Sequence, residues 1–287
     1  MKPDSVPFDP AVLDAATRAA CAAAGVTLGA GAAEKLVRYA ELLRAGSARM
    51  NLTAVLDDRG IAVKHYADSL SVLPILLDEA AAQAGGGIDG FTLLDLGTGA
   101  GFPGIPLRIA IDDLAAGVSP ADGTDRTRLA DRTVPAAPPR IRILLLDALA
   151  KRVGFLRESV AALGLADIEA VHARAEDAGR GPLREGCGMV AARAVAPLNV
   201  LLEYALPLVR TGGLFVAMKG PDAASETVAA GRALKLLGGR IESVRTLVLP
   251  VPEGEELTRS LVLVRKEKPC PPGWPRQAGK PEKAPVL

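Results

Sequence analysis

The 287 residues are 49% hydrophobic, enough for one large core or two smaller ones. Charge is almost balanced, with 34 Lys and Arg against 33 Asp and Glu, so any basic surface for nucleic acid must be local. Cys21, Cys187 and Cys270 lie far apart and are odd in number, and only His65 and His172 accompany them, which predicts reduced thiols and no metal site. The opening stretch "MKPDSVPFDPAVLDAATRAA" has no apolar signal core, and no apolar run approaches the roughly 20 residues that span a bilayer. A soluble, cytoplasmic monomer without a membrane partner is expected.

In chain order, residues 9–82 read as helical. Asp9 and Pro10 form an N-cap and N1 pair for a helix ending near Gly25. A second helix carries Ala32, Leu36, Ala40 and Leu43 on one stripe. A third begins near Ile61, and Pro74 should kink it or start a new segment. From Phe91 short apolar strands alternate with helices. Strands are predicted at 92–96, 141–146, 168–172, 188–192, 213–218, 243–249 and 259–265, and helices at about 103–111, 149–163, 197–209 and 222–237. No helix fits between the last two strands, and "VLPVPEGEEL" reads as a hairpin-like loop, so the final strand should be antiparallel. The fold class is α/β: a Rossmann-like sheet of seven strands (83–265) behind a helical N-terminal extension (1–82). Residues 112–140 lack apolar periodicity and read as a disordered insertion. The tail 266–287 holds six of the 22 prolines and reads as a disordered, modestly basic extension.

The stretch "LLDLGTGAGFPGIPLRIA" (93–110) runs from a strand through a glycine-rich turn into a helix. Gly99, Gly101 and Gly104 satisfy the dinucleotide pattern, a weak signal by itself. The fuller description is strand–Asp–x–Gly–x–Gly–x–Gly, with Asp95, Gly97, Gly99 and Gly101. Glycines without a Cβ let the backbone approach the methionine and ribose of S-adenosylmethionine closely. Asp95 either orders the loop or holds the cofactor's ammonium. Pro103 and Pro106 remove N–H groups near the helix start, which suits a ligand without phosphate.

The next strand ends in Asp147, placed to accept from both ribose hydroxyls or simply to cap the helix that follows. In "HARAED", Ala175 and Glu176 either lie over the adenine or cap a surface helix. In "ARAVAPLN", Arg193 and Asn199 lie at a central strand end beside the reaction centre, though an arginine there serves equally as an ion-pair partner, and Asn199 either reads a base edge or caps the helix it opens.

Together "NLTA" (51–54), "KHYADS" (64–69), "LLDLGTGAGFPGIPL" (93–107), "LLDALAKRVGFL" (145–156), "ARAVAPLN" (192–199) and "MKG" (218–220) resemble the small-subunit ribosomal RNA guanine-N7 methyltransferase G family, also called the glucose-inhibited division protein B family. The likeness covers roughly 30–265; the insertion, the tail and "GSARMNLT" depart from it. It implies S-adenosylmethionine as methyl donor and a guanine N7 in the decoding-region loop of 16S rRNA, on the small ribosomal subunit, as acceptor. It implies Gly97, Phe102, Ala175, Glu176 and Arg193 as cofactor contacts.

Guanine N7 carries an in-plane lone pair and no proton, so no catalytic base is expected, and positioning carries the rate. Candidate substrate contacts are Arg193, Asn199, Lys219 and His65. Phosphate contacts are expected from Arg38, Arg44, Arg49, Lys64, Lys151, Arg152 and Lys219. His65, Asp68 and Ser69 share one helical face, as a structural network or as RNA or cofactor contacts. Other readings are a methyltransferase of the same fold acting on another RNA or a small molecule, a nicotinamide-dependent oxidoreductase, and a non-catalytic ribosome-binding factor. With 3% aromatics, the chain has little from which to build an aromatic substrate lid.

Overall fold

The computed structural model describes residues 7–85, 90–117, 140–193, 196–250 and 256–286. Helix α1 (Pro10–Ala23) is capped by Asp9, whose carboxylate accepts from the N–H groups of Ala11 and Val12. In α2 (Ala30–Arg49) the stripe Ala32, Leu36, Ala40 and Leu43 is buried, as its spacing predicts. The expected third helix is broken more finely: α3 (Asp58–Gly60), a π-helical stretch (Ile61–Ala67) and α4 (Asp68–Leu70). Pro74 falls in the first turn of a new helix, α5 (Leu73–Gly85), where its missing N–H costs no helical bond.

The strands are β1 (Phe91–Leu96), β2 (Ile141–Asp147), β3 (Ile168–His172), β4 (Cys187–Arg193), β5 (Val209–Lys219), β6 (Gly239–Pro250) and β7 (Glu256–Lys266). They form one sheet in the order β3-β2-β1-β4-β5-β7-β6. The first five are mutually parallel, and β7 runs antiparallel to both β5 and β6. The connecting helices are α6 (Gly104–Gly117), α7 (Ala150–Ala162), α8 (Ala175–Ala178), α9 (Leu198–Ala205), α10 (Ala223–Ala229) and α11 (Gly231–Leu237).

The two-residue period of the strands sorts side chains onto two faces. Leu93, Leu145 and Met189 join Leu36, Leu43, Ile61 and Phe155 in one core, while Leu94, Leu146 and Val190 join Leu198, Leu202 and Leu237 in the other. The N-terminal helices therefore complete the core of one sheet face. Helix α6 continues through Gly117, and the remainder of the expected insertion, 118–139, lies outside the described residues.

The C-terminal extension corrects an expectation of disorder. Residues 266–286 pack against the α/β body and include a short helix, α12 (Lys280–Lys283). Lys266 is fully buried, with Nζ donating to the Leu206 carbonyl at 2.7 Å. Arg276 grips the buried Glu203 carboxylate through Nε at 2.7 Å and Nη2 at 2.5 Å. These polar anchors have no periodicity, so composition alone hides them. Among the described residues, no helix is long and apolar enough to cross a membrane, and no group of three or more His, Cys, Asp or Glu could hold a metal. The three cysteines are free and buried.

Candidate active site

The strand order reverses between β1 and β4, which both follow the same parallel direction but send their connections to opposite sides; such a point opens a crevice at the strand C-termini. The glycine loop sits there. Gly97, Gly99 and Gly101 all have positive φ (66°, 60° and 101°), a conformation that side-chain-bearing residues rarely adopt. A Cβ on Gly101 would lie 2.6 Å from the Tyr39 hydroxyl, so this glycine also admits a neighbour. Tyr39, from α2, donates that hydroxyl to the Ala100 carbonyl and so ties the N-terminal helices to the loop.

Asp95 is wholly buried beneath the loop. Its Oδ2 accepts from Thr98 Oγ1 at 2.6 Å and from the Gly104 N–H at 2.8 Å, while Oδ1 has no hydrogen-bond partner. Burial raises its pKa to about 6, against the pull of the two hydrogen bonds. The loop-ordering role is thus present, and one acceptor oxygen remains.

On the β2–β3 side of the loop, a cavity of about 160 Å³ is lined by Gly97, Asp147, Arg174, Ala175 and Glu176, among others. Asp147 accepts from the N–H groups of Leu149 (2.8 Å) and Gly99 (3.1 Å), so it joins the glycine loop to the start of α7 while facing the cavity. Its helix-start role and its position at the cavity coexist. Ala175 opens α8, and the Glu176 carboxylate accepts from the Gly279 N–H at 2.8 Å. Tyr204, Gly279 and Glu282 complete the lining, none of them anticipated from the sequence.

On the β4–β5 side a larger cavity of about 480 Å³ is lined by Lys64, His65, Asp68, Arg193, Lys219, Glu226 and Arg259, with the uncharged Val55, Met218 and Gly220. Asp68, 2% exposed, bridges two arginines: its oxygens lie 3.2 Å from Arg193 Nη1 and 3.2 Å from Arg259 Nε. Arg193 also donates to the Lys64 carbonyl at 2.9 Å and stands over the Phe102 ring, 4.9 Å from its centroid. The ion-pair reading of Arg193 is therefore realised at the cavity itself. His65 stacks on the Phe102 ring, with centroids 4.5 Å apart. Its Nε2 lies 3.0 Å from Thr53 Oγ1, and its Nδ1 is buried without a partner. Burial, then the charge of Arg193, lowers its pKa to about 3, so the ring is neutral at pH 7.

Several expectations change. Ser69 is buried and donates its hydroxyl to the His65 carbonyl, a structural contact between two members of the predicted face, and it does not line either cavity. Asn199 lies away from both cavities; its Nδ2 donates to the Val286 carbonyl at 3.2 Å. Lys219 lines the larger cavity but is held by Glu226 (2.7 Å) and the Ala196 carbonyl (2.6 Å). Arg38 pairs with Glu41, and Arg152 lies 3.6 Å from Asp147. Arg259 is a further residue that sequence reasoning missed; its only signal is a cation just before the apolar run of β7.

The sequence profile described as rRNA small subunit methyltransferase G matches residues 32–118 and 134–254, breaking off within the segment read as an insertion. The chain belongs to this family. A relative from Acetivibrio thermocellus, named ribosomal RNA small subunit methyltransferase G, is 38% identical over 91% of this chain and 92% of its own length. Relatives of the same name from Pelotomaculum thermopropionicum and Symbiobacterium thermophilum are 42% and 40% identical, over 88% and 92% of this chain and 92% and 94% of theirs.

Proposed function

We propose that this protein methylates N7 of a guanine in the decoding-region loop of 16S rRNA, using S-adenosylmethionine. The carrying observation is the pair of cavities flanking the glycine loop, acidic toward β2 and β3, cationic toward β4 and β5. The donor set fits the cofactor. Asp147 offers a carboxylate to ribose hydroxyls, Gly97, Gly99 and Gly101 offer close backbone approach, and the unpartnered Asp95 Oδ1 suits an ammonium. Phe102, Ala175, Glu176 and Arg193 complete the set. Bound there, the cofactor supplies an electrophilic methyl on a sulfonium.

The protein's own work is positioning. Arg193 and Arg259, fixed by Asp68, and Lys64 form a cationic surround for phosphate or an acceptor oxygen. The neutral His65 ring, stacked on Phe102, offers an aromatic edge beside an extruded base without adding positive charge next to a ring that becomes cationic. N7 has no proton to lose, so the reaction proposed needs no catalytic base. The deciding experiment incubates the protein with labelled S-adenosylmethionine and unmodified small subunits, then maps N7 methylation by borohydride–aniline cleavage. Label found solely on an exocyclic amine or a ribose oxygen rules out the N7 assignment. Asp147→Ala should weaken cofactor binding by about 1–3 kcal/mol; unchanged affinity removes the ribose role.

A further inference from the structure

The C-terminal segment reaches into the acidic cavity. Gly279 and Glu282 line it beside Gly97, Asp147 and Glu176. Two hydrogen bonds latch them in place: the Gly279 N–H to Glu176 Oε1 at 2.8 Å, and Tyr204 Oη to Glu282 Oε1 at 3.2 Å. The segment is anchored before these residues by Arg276 on Glu203 and after them by the Val286 carbonyl on Asn199. It is therefore held on both sides of the point where it meets the cavity.

We propose that Glu282 is a cofactor-specificity residue whose carboxylate accepts from the exocyclic amine of adenine, with the C-terminal segment forming the outer wall of the nucleoside half. This rests on reading the cavity as the S-adenosylmethionine site. Three carboxylates from three distant parts of the chain line it: Asp147, Glu176 and Glu282. Such a lining suits a ligand face rich in hydrogen-bond donors, and adenosine presents two ribose hydroxyls and one amine. Their order along the sheet separates them. Asp147 ends β2 and touches the glycine loop through Gly99, which puts it on the ribose side. The reacting sulfur must face the cationic cavity at β4, so the base lies toward the far strand, β3. Glu176 follows β3, and the segment joins the cavity there, through the Gly279 latch.

The test compares S-adenosylhomocysteine with S-inosylhomocysteine, in which a carbonyl oxygen replaces the amine, by titration calorimetry. Glu282→Gln keeps an acceptor for Tyr204 and so preserves the latch, while its amide accepts from an amine or donates to a carbonyl. The wild-type protein should prefer the adenosyl compound by about 50-fold or more, and Glu282→Gln should compress that preference to about fivefold or less. Tyr204→Phe, which frees Glu282, should weaken adenosyl binding about two- to fivefold and provides a second readout if the first variant folds poorly. If Asp147→Ala loses affinity while both other variants keep wild-type affinity and preference, the role of Glu282 is overturned and the cavity reading stands. If none of the three changes binding, the cavity reading falls and the inference with it.

Discussion

Lowering the pH should weaken cofactor binding through a single carboxyl, Asp95. Burial raises it from its ordinary 3.8 to about 6; the hydrogen bonds from Thr98 and Gly104 and the charge of Arg193 oppose the rise, and Asp147 adds to it. In the free protein at pH 5, about ten of every eleven molecules therefore hold this proton. A ligand ammonium beside Oδ1 should return the group to its ordinary range, so the proton must leave on binding. Affinity for S-adenosylhomocysteine then falls about tenfold, or about 1.4 kcal/mol, from about pH 7.5 to about pH 5. His65, lowered to about 3, stays neutral throughout and adds nothing to the slope. Calorimetry in buffers of different ionisation enthalpy counts the released proton, and Asp95→Asn should flatten the profile. A flat wild-type profile with no proton released would refute the ammonium role. The same group acts on folding with a defined sign. The folded state keeps a proton that the unfolded chain loses near 3.8, so its contribution to stability is greatest below about pH 4. That contribution declines by about 3 kcal/mol as the pH rises through about 6.

Tyr39→Phe removes the hydroxyl that holds the Ala100 carbonyl, and should cost about 1–2 kcal/mol in urea unfolding as well as several-fold in cofactor affinity. Arg276→Ala leaves the Glu203 carboxylate, 1% exposed, without its ion pair; a loss of about 3–5 kcal/mol in thermal or denaturant unfolding is expected. Gly104→Ala places a Cβ 2.3 Å from Leu145 Cδ2 and 2.9 Å from Asp95 Oδ2, and should destabilise by about 1–3 kcal/mol in the same assay. Burial pushes the Cys21 and Cys187 thiols up to about 12, so a thiol-reactive dye at pH 8 should label neither until the protein is unfolded.

The glycine loop, its strand and the β/α alternation were legible because they rest on local rules: apolar period, positive-φ glycines and Asp9 before Pro10. All seven strands lie where their apolar runs place them, with β5, β6 and β7 extended at their ends. What was illegible depends on contacts between distant residues. Asp68 meets Arg259 across 191 positions, and Arg276 meets Glu203 across 73; no pattern in either segment announces them. The π-helical stretch at Ile61–Ala67 was hidden for another reason, since its widened turn changes which residues share a face without changing composition. Proline content misled at the C-terminus because it tracks low helical propensity, whereas the packing there comes from ionic and backbone anchors.

The shared grip of Asp68 on Arg193 and Arg259 has a thermodynamic corollary. Two long side chains, each normally free to sample many rotamers, are frozen while the polypeptide folds. An incoming polyanion then meets a rigid fork instead of a brush, and little disorder is lost at the moment of encounter. Loosening that carboxylate should therefore show up as a more unfavourable association entropy, even where both guanidiniums remain in place.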